Sequence, residues 1–101
     1  MKLLEQLKRY LNISYEDQDT DEMLKDVLEN GKAIINDYAG TELDYEQPGQ
    51  ARQLLFDYCR YARSHATEMF EVNFRRDLMG LRELTEVQYH ADHYADSLSD
   101  L

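Results

Sequence analysis

Apolar residues recur along the chain at intervals of three and four, which is the spacing of one face of an α-helix. The longest such pattern contains Ala51, Leu54, Leu55, Tyr58, Cys59, Ala62, Ala66, Met69 and Phe70. Pro48 suits a first helical turn, where its missing N–H removes no hydrogen bond. The spacing therefore predicts a long central helix near residues 48–66. Its buried residues are predicted to be Leu54, Leu55, Tyr58, Cys59 and Ala62.

Three further helical patterns accompany the central one. They lie near residues 2–11, 20–39 and 68–83. Asp19 and Glu22 resemble a capping box at the start of the second helix, and Gly40 stands where a left-handed C-cap is expected. Gly31 falls on an apolar face, which predicts the close approach of another helix. Spacing alone does not decide whether a break at residues 64–67 separates the third and fourth helices.

The end of the chain has a different pattern. Thr85, Val87 and Tyr89 alternate with polar residues, which is the period of a β-strand. A lone strand finds no partner inside a helical bundle. We therefore predict an all-α fold, a small bundle of about four helices, with an extended or mobile C-terminal tail. The helical domain is predicted at residues 1–84 and the acidic C-terminal tail at residues 85–101.

A second stripe of side chains lies beside the apolar face of the central helix. At about 100° per residue, Arg52, Phe56, Arg60 and Arg63 fall together. A large aromatic residue flanked by arginines, off the core face, suits a contact between subunits, where both residue types are enriched. A solvated basic flank with one isolated Phe explains the stripe equally well, and both interpretations stay open from these residues.

Charge is unevenly distributed along the chain. The formal net charge is −10. Residues 1–47 hold 12 acidic and 5 basic side chains, residues 48–82 hold 4 and 6, and residues 83–101 hold 5 and none. Acidic ends around a mildly basic centre predict packing between copies, or with a basic partner. The same balance disfavours DNA binding through phosphate contacts.

The cysteine content and the hydropathy pattern suggest a cellular compartment. One cysteine excludes an intramolecular disulfide and fits a reducing compartment. Glu5, Gln6 and Lys8 interrupt any apolar core of a signal peptide, and no apolar run reaches the length of a membrane span. The chain is expected to be cytosolic when synthesised, with no membrane partner.

Two groups of residues could suggest chemistry. Cys59 and His65 are six residues apart on a predicted helix, so they point to different sides, and Cys59 is expected in the core. A second group, in the tail, contains His90, Asp92, His93 and Asp96. Metal sites usually stand on rigid elements with supporting hydrogen bonds, so a solvated tail is the favoured interpretation. No catalytic, cofactor-binding or metal-binding residue is predicted, and the chain is not expected to be an enzyme.

Several segments resemble a known family. They are LLEQLKRYLNI, DTDEML, KAIINDYAG, PGQARQLLFDYCRYARSHA and FEVNFRRDLMGL. Together they are similar to the head–tail connector, or adaptor, proteins of siphophages and related prophages. The resemblance spans about residues 3–84 and is most specific in the PGQAR block. It does not extend into the tail.

The resemblance implies a structural protein of the virion. Members of this family form a ring, typically a dodecamer, beneath the portal protein at the vertex of the head. The ring extends the DNA channel and docks the stopper or tail-completion protein, and DNA passes without specific binding. The expected location is the head–tail interface, after assembly in the host cytoplasm.

This reading assigns two sets of contact residues. The subunit interface is predicted to contain Arg52, Phe56, Arg60, Arg63, Arg75 and Arg76. The tail is predicted to dock on the portal or a neighbouring subunit through Val87, Tyr89, Tyr94 and Leu98. The alternative function is an acidic phage-type regulator, or a DNA-mimic inhibitor, that binds a basic host protein. A third interpretation is a metal-dependent enzyme based on the tail histidines.

Overall fold

The structure is a computed structural model that describes residues 2–84. The helices are α1 (Lys2–Tyr10), α2 (Gln18–Ala39), α3 (Gln50–Arg63), α4 (Thr67–Asn73) and α5 (residues 75–84). None of the described residues forms a β-strand. The prediction of an all-α bundle is confirmed. The predicted extended or mobile tail lies outside the described residues.

The ends of α2 are defined by local hydrogen bonds. Asp17 is the N-cap, and its carboxylate accepts hydrogen bonds from the backbone N–H of Thr20 at 3.3 Å and from the Thr20 hydroxyl at 2.7 Å. The predicted start at Asp19 and Glu22 is therefore wrong, because Asp17 has the extended backbone that a capping residue needs. Gly40 ends the helix in the left-handed conformation with φ 75°, as predicted.

The boundaries of α3 also differ from the expectation. The helix begins at Gln50, so Pro48 precedes it and the prediction that Pro48 occupies the first turn is wrong. Gly49 separates the two, with a φ of 156° that favours glycine. At the other end, His65 adopts a left-handed φ of 55° and divides α3 from α4. The break that spacing left undecided is therefore present.

The predicted helix near residues 68–83 is bent into two helices. The bend is at Phe74, whose backbone has a φ of −109° and a ψ of 13°. The Phe74 ring packs against the rings of Tyr61 and Phe70, with centroid distances of 5.8 and 5.0 Å. These contacts hold the bend against the end of α3.

The core is built around α3. Its residues 54–59 are six consecutive buried positions, which requires neighbours on more than one side of the helix. A Cβ atom at Gly31 of α2 would lie 2.7 Å from the Tyr58 ring and 2.8 Å from a Leu55 methyl, so the predicted close approach is confirmed. On another side, Phe70 of α4 meets the Tyr58 ring edge-on at 5.4 Å. Helix α3 is thus the centre of the bundle.

Four of the five residues predicted to be buried on this helix are buried. They are Leu54, Leu55, Tyr58 and Cys59. Ala62 is only partly buried, so that prediction is wrong. Its position in the last turn of α3, next to the exposed Arg63 and Ser64, places it at the edge of the core. No helix within residues 2–84 has the length and apolar content needed to cross a membrane.

Candidate subunit interface

Phe56, the aromatic residue of the predicted interface stripe, belongs to the core. Only 6% of its surface is exposed, and its ring lies 5.6 Å from the Tyr10 ring of α1. The prediction that Phe56 lies off the core face is wrong, because α1 covers that side of α3. The sequence signal for this contact was the apolar stripe of α1, which ends at Tyr10. Such a stripe indicates that α1 packs against another helix.

A buried acidic residue, which the sequence pattern did not reveal, lies beside Phe56. The Asp57 carboxylate accepts hydrogen bonds from the Tyr10 hydroxyl at 2.5 Å and from the Gln53 amide at 3.3 Å, and Arg60 lies 3.6 Å away. Burial, followed by the hydrogen bond to Asp57, raises the pKa of Tyr10. These polar contacts join α1 to α3. The only sequence signal was a charged residue inside an otherwise buried run.

The arginines of the stripe divide into two groups. Arg52 donates a hydrogen bond to the Glu46 carbonyl at 2.8 Å and so anchors the segment before α3. Arg60 is about half exposed and stacks over the Tyr61 ring at 5.0 Å, and Arg63 is exposed. Arg60 and Arg63 border a depression of about 320 Å³, here called the arginine notch. The notch is completed by Tyr10, Leu11, Asn12 and Ser64.

The opposite charge is concentrated on α2. Its acidic face, as named here, consists of the exposed residues Asp19, Glu22, Asp26, Glu29 and Asp37. At about 100° per residue they lie on the side of α2 away from its buried residues. Because Gly31 on the buried side contacts α3, the acidic face points away from α3. Of these acids, Glu29 is 3.8 Å from Lys32.

Arg75 and Arg76 lie on another part of the surface. Both are exposed on α5, away from the arginine notch. They border a shallow surface between α4 and α5, here called the α4–α5 groove, whose apolar residues are Val72 and Met79. The six residues predicted as one interface therefore lie in four places. Phe56 is in the core, and Arg52 binds the segment before α3. Arg60 and Arg63 border the notch, and Arg75 and Arg76 border the groove. Whether any of them contacts a second subunit stays a prediction.

The candidate catalytic pair is not assembled. Cys59 is buried, as predicted, and burial raises the pKa of its thiol to about 12. His65 is exposed in the turn after α3. Among the described residues, no group of three or more His, Cys, Asp or Glu side chains is placed to hold a metal ion. Two groups of tail residues lie outside the described residues. They are His90, Asp92, His93 and Asp96, for which a solvated tail was favoured over a metal site, and the predicted docking residues Val87, Tyr89, Tyr94 and Leu98.

Known proteins give no independent identification. Comparison of the chain with protein-family models, curated proteins and solved structures finds no match. The two charged surfaces and the groove are the surface features of residues 2–84 that point to a function.

Proposed function

We propose that this chain is a structural subunit of a phage head–tail connector. In this role it forms a ring under the portal protein, extends the DNA channel and docks the stopper or tail. The observation that carries the proposal is the separation of the acidic face of α2 from the arginine notch. The resemblance of residues 3–84 to the adaptor family and the all-α fold agree with it.

The placement of the two charged surfaces favours contacts between copies. The acidic face points away from α3, whereas Arg60 and Arg63 lie on α3, on the side next to α1. The two surfaces of one chain therefore cannot meet each other. Pairing of the acidic face of one copy with the notch of the next is a heterologous contact, which repeats and closes into a ring when the rotation allows.

The strength of such a contact depends on its repetition. One exposed ion pair contributes only about 0–1 kcal/mol. Several pairs at each junction, repeated around a closed ring, add up to a stable assembly even though each is weak. We therefore expect the free chain to associate weakly and the ring to form when a portal presents many binding sites together.

The net charge suits a DNA channel. With a charge of −10 per chain, a ring carries a large acidic excess. Carboxylates left unpaired on its inner wall would repel DNA phosphates, so the genome would slide past without being held.

The proposal is tested by native mass spectrometry of the chain, alone and with the portal protein encoded in the same genome. We expect a portal complex that contains multiple copies of the chain. If no such complex forms at low or moderate salt, the connector function is wrong.

A charge reversal in the notch locates the contact. Arg63→Glu removes an exposed arginine without disturbing the buried Asp57, and we expect it to prevent incorporation of the chain into portal-bearing heads. Lys2→Glu makes the same charge change at an exposed position at the start of α1, outside both charged surfaces, and should leave incorporation intact. Helical circular dichroism should be the same for both variants. Normal incorporation of the Arg63 variant would show that the notch is only a solvated surface.

The acidic face also favours a second candidate function. Five exposed carboxylates on one side of α2 offer a charged surface to a basic host protein, as a DNA mimic does. This function makes no use of the arginine notch. If Glu22→Lys with Asp26→Lys abolishes capture of a basic nucleic-acid-binding protein, and Arg63→Glu does not affect it, the mimic replaces the connector as the function.

A further inference from the structure

The α4–α5 groove exposes apolar side chains that a small protein normally buries. Val72 is 68% exposed and Met79 is 56% exposed, and Met69 of α4 and Leu84 of α5 are also exposed. Two adjoining depressions, of about 540 and 640 Å³, share Val72, Arg75 and Met79 in their walls. Contiguous apolar surface of this kind marks an interaction site more often than isolated apolar residues do.

The groove is open to a helix. A Cβ atom added at Gly80 would meet nothing within 4 Å among the described residues, so a second backbone has room to approach there. Arg75 and Arg76 stand at the rim together with Glu83, and Asp37 and Arg82 border the adjoining depression. Glu71 also borders the surface, but it accepts a hydrogen bond from the Tyr38 hydroxyl at 3.3 Å. The matching ligand is an amphipathic helix with an apolar stripe and acidic flanks.

The chain itself contains a sequence of this chemistry. Starting from Leu84, apolar residues follow at alternating steps of three and four. They are Leu84, Val87, Ala91, Tyr94 and Leu98. This spacing is typical of a helix that packs along one seam, and it covers more of the segment than the strand-like alternation at residues 85–89. Helix α5 extends to Leu84, which is also the first residue of this apolar pattern.

The acidic side chains of this segment can pair with the arginines of the groove. Residues 85–101 carry the acidic side chains Glu86, Asp92, Asp96 and Asp100, with no Lys or Arg. Two such segments paired with each other would bring acidic residues together without basic partners. Paired with the groove, the same carboxylates can face Arg75 and Arg76.

The partner that fits is a second copy of this chain. Residues 85–91, which follow α5 directly, contain no Gly, Pro, Asn, Asp or Ser, which are the residues that dominate tight turns. Folding back onto the groove of the same chain directly after α5 is therefore disfavoured. We propose that residues 85–101 of one copy bind in the α4–α5 groove of another copy. The contact is heterologous, and it does not depend on the proposed connector function.

The test uses full-length variants at exposed positions. The groove variant carries Val72→Asp and Met79→Asp, and the tail variant carries Tyr94→Asp and Leu98→Asp. The control carries Tyr15→Asp and Met23→Asp, which introduce the same two charges at positions that are 54% and 44% exposed. Sedimentation velocity over a concentration series measures self-association, and circular dichroism verifies the helical fold. We expect each double variant to self-associate at least about tenfold more weakly than the control.

Mixing the two double variants gives the decisive result. The groove variant retains a tail, and the tail variant retains a groove, so one intact contact remains in the mixture. We expect a one-to-one complex that grows no further. The proposal is overturned if the unaltered chain stays monomeric. It is also overturned if the groove variant alone, or the tail variant alone, self-associates as strongly as the control. A mixture that remains monomeric also overturns it.

Discussion

Helix α3 and the α4–α5 region are both rich in apolar residues, but the fold treats them differently. Residues 54–59 of α3 are buried without interruption. In the α4–α5 region, the buried Phe70, Leu78 and Leu81 alternate with exposed apolar residues such as Val72 and Met79. Helix α3 is covered by α1, α2 and α4, whereas the α4–α5 region is packed on one side.

The difference shows that apolar content does not by itself mark the core of a small bundle. The number of neighbouring helices determines how much of an apolar helix is buried, and a chain with few helices can cover only one of them on most sides. Apolar residues on a partly covered helix then remain available for contact with another molecule. Stability and association should therefore respond to substitutions in different regions.

The largest difference is expected from truncating one apolar side chain in each region. Leu55→Ala removes a fully buried side chain and should lower the free energy of unfolding by about 2–5 kcal/mol. Val72→Ala removes an exposed side chain and should change it by less than about 0.5 kcal/mol. Urea denaturation followed by circular dichroism measures both. Equal losses would show that the α4–α5 region is as fully packed as α3.

Adding a methyl group at one glycine in each region should change stability in opposite directions. Gly31→Ala places a methyl group 2.7 Å from the Tyr58 ring and 2.8 Å from a Leu55 methyl. Such overpacking should cost about 1–3 kcal/mol, more than the gain in helix propensity. Gly80→Ala meets open space and should stabilise the chain by up to about 1 kcal/mol. Thermal unfolding of the two variants should therefore shift in opposite directions, and a shift in the same direction would contradict the packing described for Gly31.

A smaller effect is expected where α1 covers α3. Tyr10→Phe retains the ring that packs on Phe56 and removes the hydroxyl that donates to the buried Asp57. The loss should be about 1 kcal/mol, because Gln53 and Arg60 remain near the carboxylate. Tyr15→Phe, at a 54% exposed position, is the matched control and should have almost no effect in urea denaturation. A Tyr10 variant as stable as the control would mean that the hydroxyl contact contributes nothing.

The sequence was sufficient to predict the helices and most of the central core. Apolar spacing identified α1, α2 and α3, and the glycines at positions 31 and 40 had the roles expected of them. These features depend on local backbone preferences and on one helix face at a time. Such properties are readable from periodicity alone.

The second buried side of α3 was not predictable in the same way. Phe56 and Asp57 are buried where Tyr10, at the end of α1, packs on α3. The apolar stripe of α1 shows that this helix has a buried face, but it does not show which helix that face meets. The N-cap of α2 at Asp17 was missed because several acidic residues near it are equally plausible caps. Helices α1 to α5 leave the α4–α5 groove open within residues 2–84, which only the folded arrangement shows.

The burial of Cys59 gives the chain an internal reporter of its own opening. It is the single cysteine of the sequence, and it lies in the most enclosed helix with a thiol pKa of about 12. A thiolate is the reactive form, so a maleimide or disulfide reagent should modify the chain only during transient exposure of α3. The rate of labelling under native conditions then measures how often the bundle opens, and a ring that holds the bundle closed should slow that rate.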